Sequence, residues 1–437
     1  MAQTGTETGT ASMLHSRRWL LVAPALLFLW IIGQIDKTHT SLLIADEPFI
    51  NELQLAGRNA ELGGLMGYFL LGYGVAIFFW GFLVDRYGPR ICATIGTLGW
   101  GVCLFLASRA TSIEELLVIR FFLGVAEGNL WPVSNALTNR WFPAKEHSRA
   151  QAFWITGSTM GTAVAVPIVS TLILASGWRD ALAYLALLSI VPIFWFSFVR
   201  NRPRDSKGIS ARELQVIEGG QKQPVAITTM SIKDLFKHGP FWLIAVCQLV
   251  SGMTIFTMVQ WIPRFLTTYR HQSFTGMSAW ITVGYVAATV LTLMISYFAD
   301  RTMQRALTGM WVCVIFAFAV LPCAFLFPAT GTALLLSTLI AAAPATAAVN
   351  GALMHQLIRP EVIARGTGIY VGFANCLAGA GPAVFGYLIT QLRGEYWGSF
   401  LFMAAVNVGG AVCYFALYRL SRRAMAASAV AAPAEAN

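Results

Sequence analysis

Apolar runs long enough to cross a bilayer recur twelve times along this chain, and they constrain its fold more than any other feature. They lie near 19–44, 62–84, 91–108, 113–137, 150–175, 179–199, 240–265, 275–299, 307–327, 331–356, 366–391 and 397–419. Each is close to the ~20 residues a helix needs to span the hydrocarbon core. Hydrocarbon cannot hydrogen-bond a backbone, so such a run must be helical to satisfy its own N–H and C=O groups. Only 11% of the 437 residues are charged, against roughly 25% in a soluble domain. The expected fold class is an all-α polytopic membrane protein with twelve transmembrane helices; ten or eleven are the runner-up counts, because the breaks at 327–331 and 391–397 are short.

Charge in the loops predicts orientation. With twelve spans, the side that holds both termini carries 22 of the 30 Lys and Arg residues and the opposite side six. By the positive-inside rule both termini are expected in the cytoplasm. The formal charge of +10 is then topological, and nucleic-acid binding is not expected. Two cations remain, Lys37 and Arg120, and both fall inside apolar runs. The polar start "MAQTGTETGTASMLH" has no apolar signal-peptide core, so the first helix is expected to be retained. Residues 1–18 and the Ala-rich tail 421–437 are expected to be disordered.

The seven cysteines sit within the apolar runs without metal-ligand spacing and read as small buried hydrophobes. No Ser-His-Asp arrangement, Walker loop or HExxH motif occurs. An enzyme is therefore not expected, and neither a metal nor a cofactor is called for.

The only long polar interior stretch, 200–238, lies at the midpoint and reads as a cytoplasmic linker, with a short helix capped by Ser210 and Glu213 three residues on. Duplication follows from a repeat across it. "GFLVDRYGPR" (81–90) and "SYFADRTMQR" (296–305) share Asp85/Asp300, Arg86/Arg301 and Arg90/Arg305 at an offset of 215, and Gly157/Gly372 and Pro167/Pro382 repeat that offset. The expected architecture is a six-helix bundle at 19–199 and a second at 239–420.

The first of these motifs resembles the G-x-L-x-D-R-x-G-x-R loop of the major facilitator superfamily, and the copy at 296–305 sits where that fold has its second one. The resemblance implies a conformational latch at Gly81, Asp85, Arg86, Arg90, Asp300 and Arg301, with Gly81 allowing two helices to approach. Within the superfamily the chain is similar to the anion:cation symporters. "RFFLGVAEGNLWPVSNALTNRWFPAKEHSRA" (120–150), "IDKTHTS" (35–41) and "GFANCLAGAGPAVFGYLI" (372–389) carry that likeness, and Tyr73 and Gln248 fall where sugar-acid members have a tyrosine and a glutamine. The chain departs from the family at Lys37, usually an arginine, and at Gly128-Asn129, usually Ala-Pro.

Residue chemistry fits that implication. Arg120 and Glu127 are seven positions apart, on nearly one helical face but ~10 Å apart along the axis, too far to pair directly. Asp36 and Lys37 are the available partners. Ionisable groups inside a membrane are functional by default, since each costs on the order of 3 kcal/mol to insert. Arg120 offers a planar fork for a carboxylate, and Lys37 a second positive charge. Asp36 and Glu127 suit proton carriage, because burial favours a neutral carboxyl and a neighbouring cation an ionised one. At the repeat offset Asp36, Arg120 and Glu127 become Ser251, Leu335 and Ala342, so proton chemistry is expected in the first half. Gln248, Asn350, Tyr370 and Asn375 are expected to contact substrate from the second.

Together these readings predict a proton-coupled symporter for a small organic anion such as a hexonate or hexuronate, monomeric, in a bacterial inner membrane. Two alternatives stay open: an aromatic carboxylate stacked on Trp131, Trp261, Tyr370 or Phe373, and an exchanger or facilitator without proton coupling.

Overall fold

The computed structural model describes residues 16–220, 235–302, 304–357 and 363–431, all in helices and their connections. Among them are eleven helices long and apolar enough to cross a membrane. One of these, Ala144–Phe198, has 55 residues, far beyond one crossing. At Gly177 its backbone turns to φ 80° and ψ 166°, which only glycine adopts without strain. That break divides it into α5 (residues 147–176) and α6 (178–198), giving the twelve passes the sequence predicts. The others are α1 (Arg18–Leu43), α2 (Asn59–Tyr87), α3 (Pro89–Arg109), α4 (Ile113–Trp141), α7 (Gly239–Tyr269), α8 (Phe274–Ala299), α9 (Arg305–Phe325), α10 (Ala329–Met354), α11 (Gly368–Gln391) and α12 (Trp397–Leu420).

The chain forms two compact units, but the division is not only at the linker. The first comprises 1–53 and 72–226, the second 54–71 and 227–437. The start of α2 joins the second unit because its polar groups are bonded there: Gln260 Nε2 donates to the Leu62 carbonyl at 3.1 Å, and Asn59 Nδ2 reaches Thr390 Oγ1 at 3.4 Å. In the first unit α1 packs extensively on α5, with Trp30 stacked on Trp154 at 5.1 Å and its Nε1 donating to Ser134 Oγ at 2.9 Å. In the second, α9 packs on α12, and Phe241, Tyr370 and Tyr414 share one apolar cluster.

Both expected disordered ends need correction where the structure describes them. Arg18 is 5% exposed. Its guanidinium donates to Glu146 at 3.0 and 3.1 Å and to Glu213 at 3.0 Å. Those charge-assisted bonds tie residues 16–18 down. At the other end the last helix continues to Ala431, in keeping with the strong helix propensity of its alanines. Residues 1–15 and 432–437 lie outside the described residues.

Part of the linker is structured. Its helix, Ala211–Gly219, starts at Ser210, whose side chain accepts from Glu213 N. The reciprocal half of that capping box is absent: the Glu213 carboxylate accepts instead from the backbone N–H groups of Arg17 and Arg18 at 3.1 and 3.2 Å. It thereby caps the start of the first helix, whose leading N–H groups have no intrahelical acceptor. Arg204 pairs with Glu218, its Nη2 lying 2.8 Å from Oε2, and Ala144 N donates to the Gly220 carbonyl at 2.7 Å.

Candidate functional site

In the first unit the fold brings the intramembrane charges of α1 and α4 together. Asp36, Lys37, Arg120 and Glu127 are exposed by only 1%, 8%, 3% and 0%. The Lys37 ammonium pairs with the Glu127 carboxylate, donates to the Gly33 carbonyl at 3.3 Å, and lies 5.3 Å from the centre of the Tyr73 ring. Three residues singled out from the sequence thus meet at one point.

Local geometry explains why Glu127 wants this cation. It lies in the middle of α4, just before Gly128 and Asn129, whose backbones stay in the right-handed helical region so that the helix runs on to Trp141. A carboxylate buried at that depth is costly unless a cation neutralises it, and Lys37 does so. Asn129 Nδ2 donates to the Cys92 carbonyl at 2.9 Å, tying α4 to α3. The Gly128-Asn129 departure from the family pattern therefore supplies a hydrogen bond between two helices.

Asp36 lies within electrostatic reach of Glu127, Lys37 and Arg120. Among the described residues nothing hydrogen-bonds to Asp36 Oδ2 or Glu127 Oε1, both of them buried, while the His39 ring bonds the Asp36 backbone. Buried polar atoms are rarely left without partners. These can take up protons or polar ligand atoms. The sequence drew attention to Asp36 and Glu127; His39 was legible only as a neighbour one turn beyond Asp36.

The second unit treats its polar residues differently. Gln248 Oε1 accepts from Asn350 Nδ2 at 3.0 Å, and Tyr414 OH donates to Asn350 Oδ1 at 2.6 Å. Ser251, the repeat counterpart of Asp36, bonds Thr346 at 2.6 Å. Tyr370 is buried in the apolar cluster, whereas Asn375 is half-buried. Of the rings considered for stacking, Trp131 packs on Trp30 and Trp154, Trp261 on Phe385, and Phe373 on Trp242. Tyr414 was missed, because a single hydroxyl in an apolar helix gives no periodic signal.

The expected latch is only partly assembled. A Cβ added at Gly81 would meet nothing within 4 Å, so the close helix approach expected there is corrected. Gly88 is the constrained glycine of the motif, with φ +87° in the turn between α2 and α3. Arg90 fastens that turn to the end of α6: its N–H donates to Asn201 Oδ1 at 3.0 Å and its Nη2 to the Ser197 carbonyl at 3.1 Å. Asp85, Arg86 and Arg301 are exposed, and the side chain of Asp300 lies outside the described residues.

Comparison with known proteins agrees with this architecture. The chain is 24% identical over 400 residues to a hexuronate transporter of Bacillus subtilis (strain 168), covering 88% of this chain and 92% of the relative. It is 25% identical to the D-galactonate transporter of Escherichia coli O6:H1, covering 92% and 96%, and 25% identical to a probable sulfoacetate transporter of Cupriavidus necator, covering 90% and 92%. In fold it is similar to a bacterial homolog of the human lysosomal transporter Spinster, with a TM-score of 0.73 at 15% identity over 96% of this chain and 99% of that one. The Major Facilitator Superfamily model matches residues 40–354. With repeat, helix count and family model in agreement, the chain belongs to the major facilitator superfamily and is a transporter, not an enzyme.

Proposed function

We propose that the chain is a proton-coupled symporter of a small organic anion, a sugar acid of the hexonate or hexuronate class, working by alternating access. The observation that carries this reading is the buried pairing of Lys37 with Glu127, beside Asp36 and Arg120. Protonating Glu127 removes the charge that holds Lys37. The ammonium then joins Arg120 in attracting an anion, so proton and substrate favour each other's binding. Arg120 takes the carboxylate bidentately, Asp36 is a second proton carrier, and Tyr73 shapes the site beside Lys37. Gln248, Tyr370 and Asn375 are further substrate contacts in this reading.

The relatives that transport hexuronate and D-galactonate support the substrate class. Asp85, Arg86, Arg90, Asp300 and Arg301 act in this reading as the latch of one conformation. The 22-to-six distribution of cations supports termini in the cytoplasm, and in this reading the protein works as a monomer in a bacterial inner membrane.

The test is the variant Glu127→Gln, which keeps the shape and hydrogen-bonding capacity of the protonated acid but cannot titrate. In proteoliposomes, counterflow of D-galactonate or D-glucuronate without a gradient should persist. Accumulation driven by an alkaline interior should vanish, because the empty carrier cannot release its proton. Wild-type accumulation would remove Glu127 from the proton route.

A further inference from the structure

We infer that Tyr414 and Asn350 are positioning residues that fix which end of the Gln248 amide is offered to substrate, making this a donor-only contact for an oxygen lone pair. The inference rests on the reading above, in which Gln248 contacts the sugar acid.

Hydrogen-bond direction runs along the chain of three side chains. The Tyr414 oxygen lies 2.6 Å from one terminal atom of Asn350, the length of an O–H···O bond and shorter than an N–H···O bond. The facing atom is therefore Oδ1, and the tyrosine donates. The Thr346 carbonyl, 3.3 Å from the same hydroxyl, is a weaker alternative acceptor, and the Ser251 hydroxyl is a further partner of the tyrosine oxygen. With Oδ1 turned to Tyr414, Nδ2 points to Gln248 and donates to Oε1 at 3.0 Å. Only a carbonyl oxygen can accept there, so the Gln248 amide is fixed with Nε2 on its far side. Among the described residues nothing accepts from Nε2, and it is not among the buried atoms lacking a partner. Both amide atoms of Asn350 are engaged within the relay and the residue is 0% exposed, which corrects the expectation that it contacts substrate itself. Gln248 is half-buried.

The consequence is selectivity by polarity. A free glutamine amide turns over to suit either a donor or an acceptor. This one presents two N–H groups and no oxygen, which suits a carboxylate or a hydroxyl acting as acceptor and disfavours a ligand group that can only donate, such as an ammonium.

The experiment measures D-galactonate and D-glucuronate binding and transport by the purified full-length protein carrying Tyr414→Phe, Asn350→Ala, Gln248→Ala, Gln248→Glu and the two double variants on Gln248→Ala. Freeing the amide should weaken binding about tenfold, as expected for one misoriented hydrogen bond to a charged or polar ligand. In Tyr414→Phe and Asn350→Ala, KM should rise while kcat stays near wild type. Gln248→Glu, which when ionised still accepts from Asn350 but has no donors and repels an anion, should lose at least as much affinity as Gln248→Ala. On the Gln248→Ala background neither Tyr414→Phe nor Asn350→Ala should have a further effect, because the relay acts through the glutamine.

Additive losses in the double variants would overturn the relay and leave Tyr414 and Asn350 as packing residues. Wild-type affinity in Gln248→Glu would overturn the donor-only contact. Wild-type affinity in Gln248→Ala would instead overturn Gln248 as a substrate contact, and no binding of either sugar acid by the wild-type protein would overturn the function reading, the relay falling with it in both cases.

Discussion

Arginine and lysine divide the buried positive charge in this protein, and their chemistry predicts different responses to exchange. Lys37 is a point charge seated on Glu127 and the Gly33 carbonyl, a role that tolerates a compact ammonium. Arg120 is proposed to hold a carboxylate through its fork, which lysine cannot reproduce. Arg120→Lys should therefore weaken sugar-acid binding by about 10- to 100-fold, the worth of a lost charge-assisted bond, with little effect on the melting midpoint. Isothermal titration of the variant beside wild type decides this, and equal affinities would sink the assignment. Individual residues were unevenly legible in the sequence. Arg120 and Glu127 stood out because a charge in an apolar run is costly. Asp36 and Lys37 were legible as the available partners of α4, but which of them meets Glu127 was not: 90 residues separate Lys37 from Glu127, and spacing along one helix says nothing about which face of another helix meets it. Gly81 misled for a related reason, since a missing Cβ in sequence does not show that anything approaches it.

Elements were most legible where one physical requirement acts alone. Membrane spans follow from backbone satisfaction in hydrocarbon, so twelve apolar runs gave twelve passes. Loops and linker were harder, because a charge outside the membrane can be solvated or bonded. Arg18 read as one more positive-inside cation and Glu213 as half of a capping box, yet the structure buries both in one cluster. The linker helix is thereby fastened to the start of α1. Glu213→Ala removes the acceptor of three hydrogen bonds and leaves Arg18 with Glu146 alone. The expected loss is about 2–4 kcal/mol, seen as a lower unfolding midpoint in detergent, with a smaller loss for Glu213→Gln, which keeps an acceptor. An unchanged midpoint in the alanine variant would show that the cluster adds nothing to stability.

For the whole molecule, the repeat builds one scaffold twice and equips the copies differently. The first unit holds the ionisable groups of α1 and α4, while the second uses neutral hydrogen bonds such as Ser251–Thr346 and Tyr414–Asn350–Gln248. The pairing of Lys37 with Glu127 also sets a problem in time. A ribosome adding ~5–20 residues per second finishes α1 several seconds before the 90 residues leading to Glu127 are complete. During that wait Asp36 and Lys37 each cost ~3 kcal/mol in lipid, and as sequence neighbours they do not face one another across a helix turn. The first helix should therefore linger beside the insertion machinery until α4 arrives. In a background with Cys92 and Cys103 replaced, arrested nascent chains ending at residue 112 should leave a cysteine placed near position 37 open to a water-soluble maleimide, and chains ending at residue 190, long enough for α4 to clear the ribosome, should protect it. Replacing both Asp36 and Lys37 by leucine, with the reporter cysteine one turn away, should abolish the difference by letting α1 enter lipid at once. Protection that is already complete at residue 112 with Asp36 and Lys37 in place would mean that α1 needs no partner to settle in the bilayer.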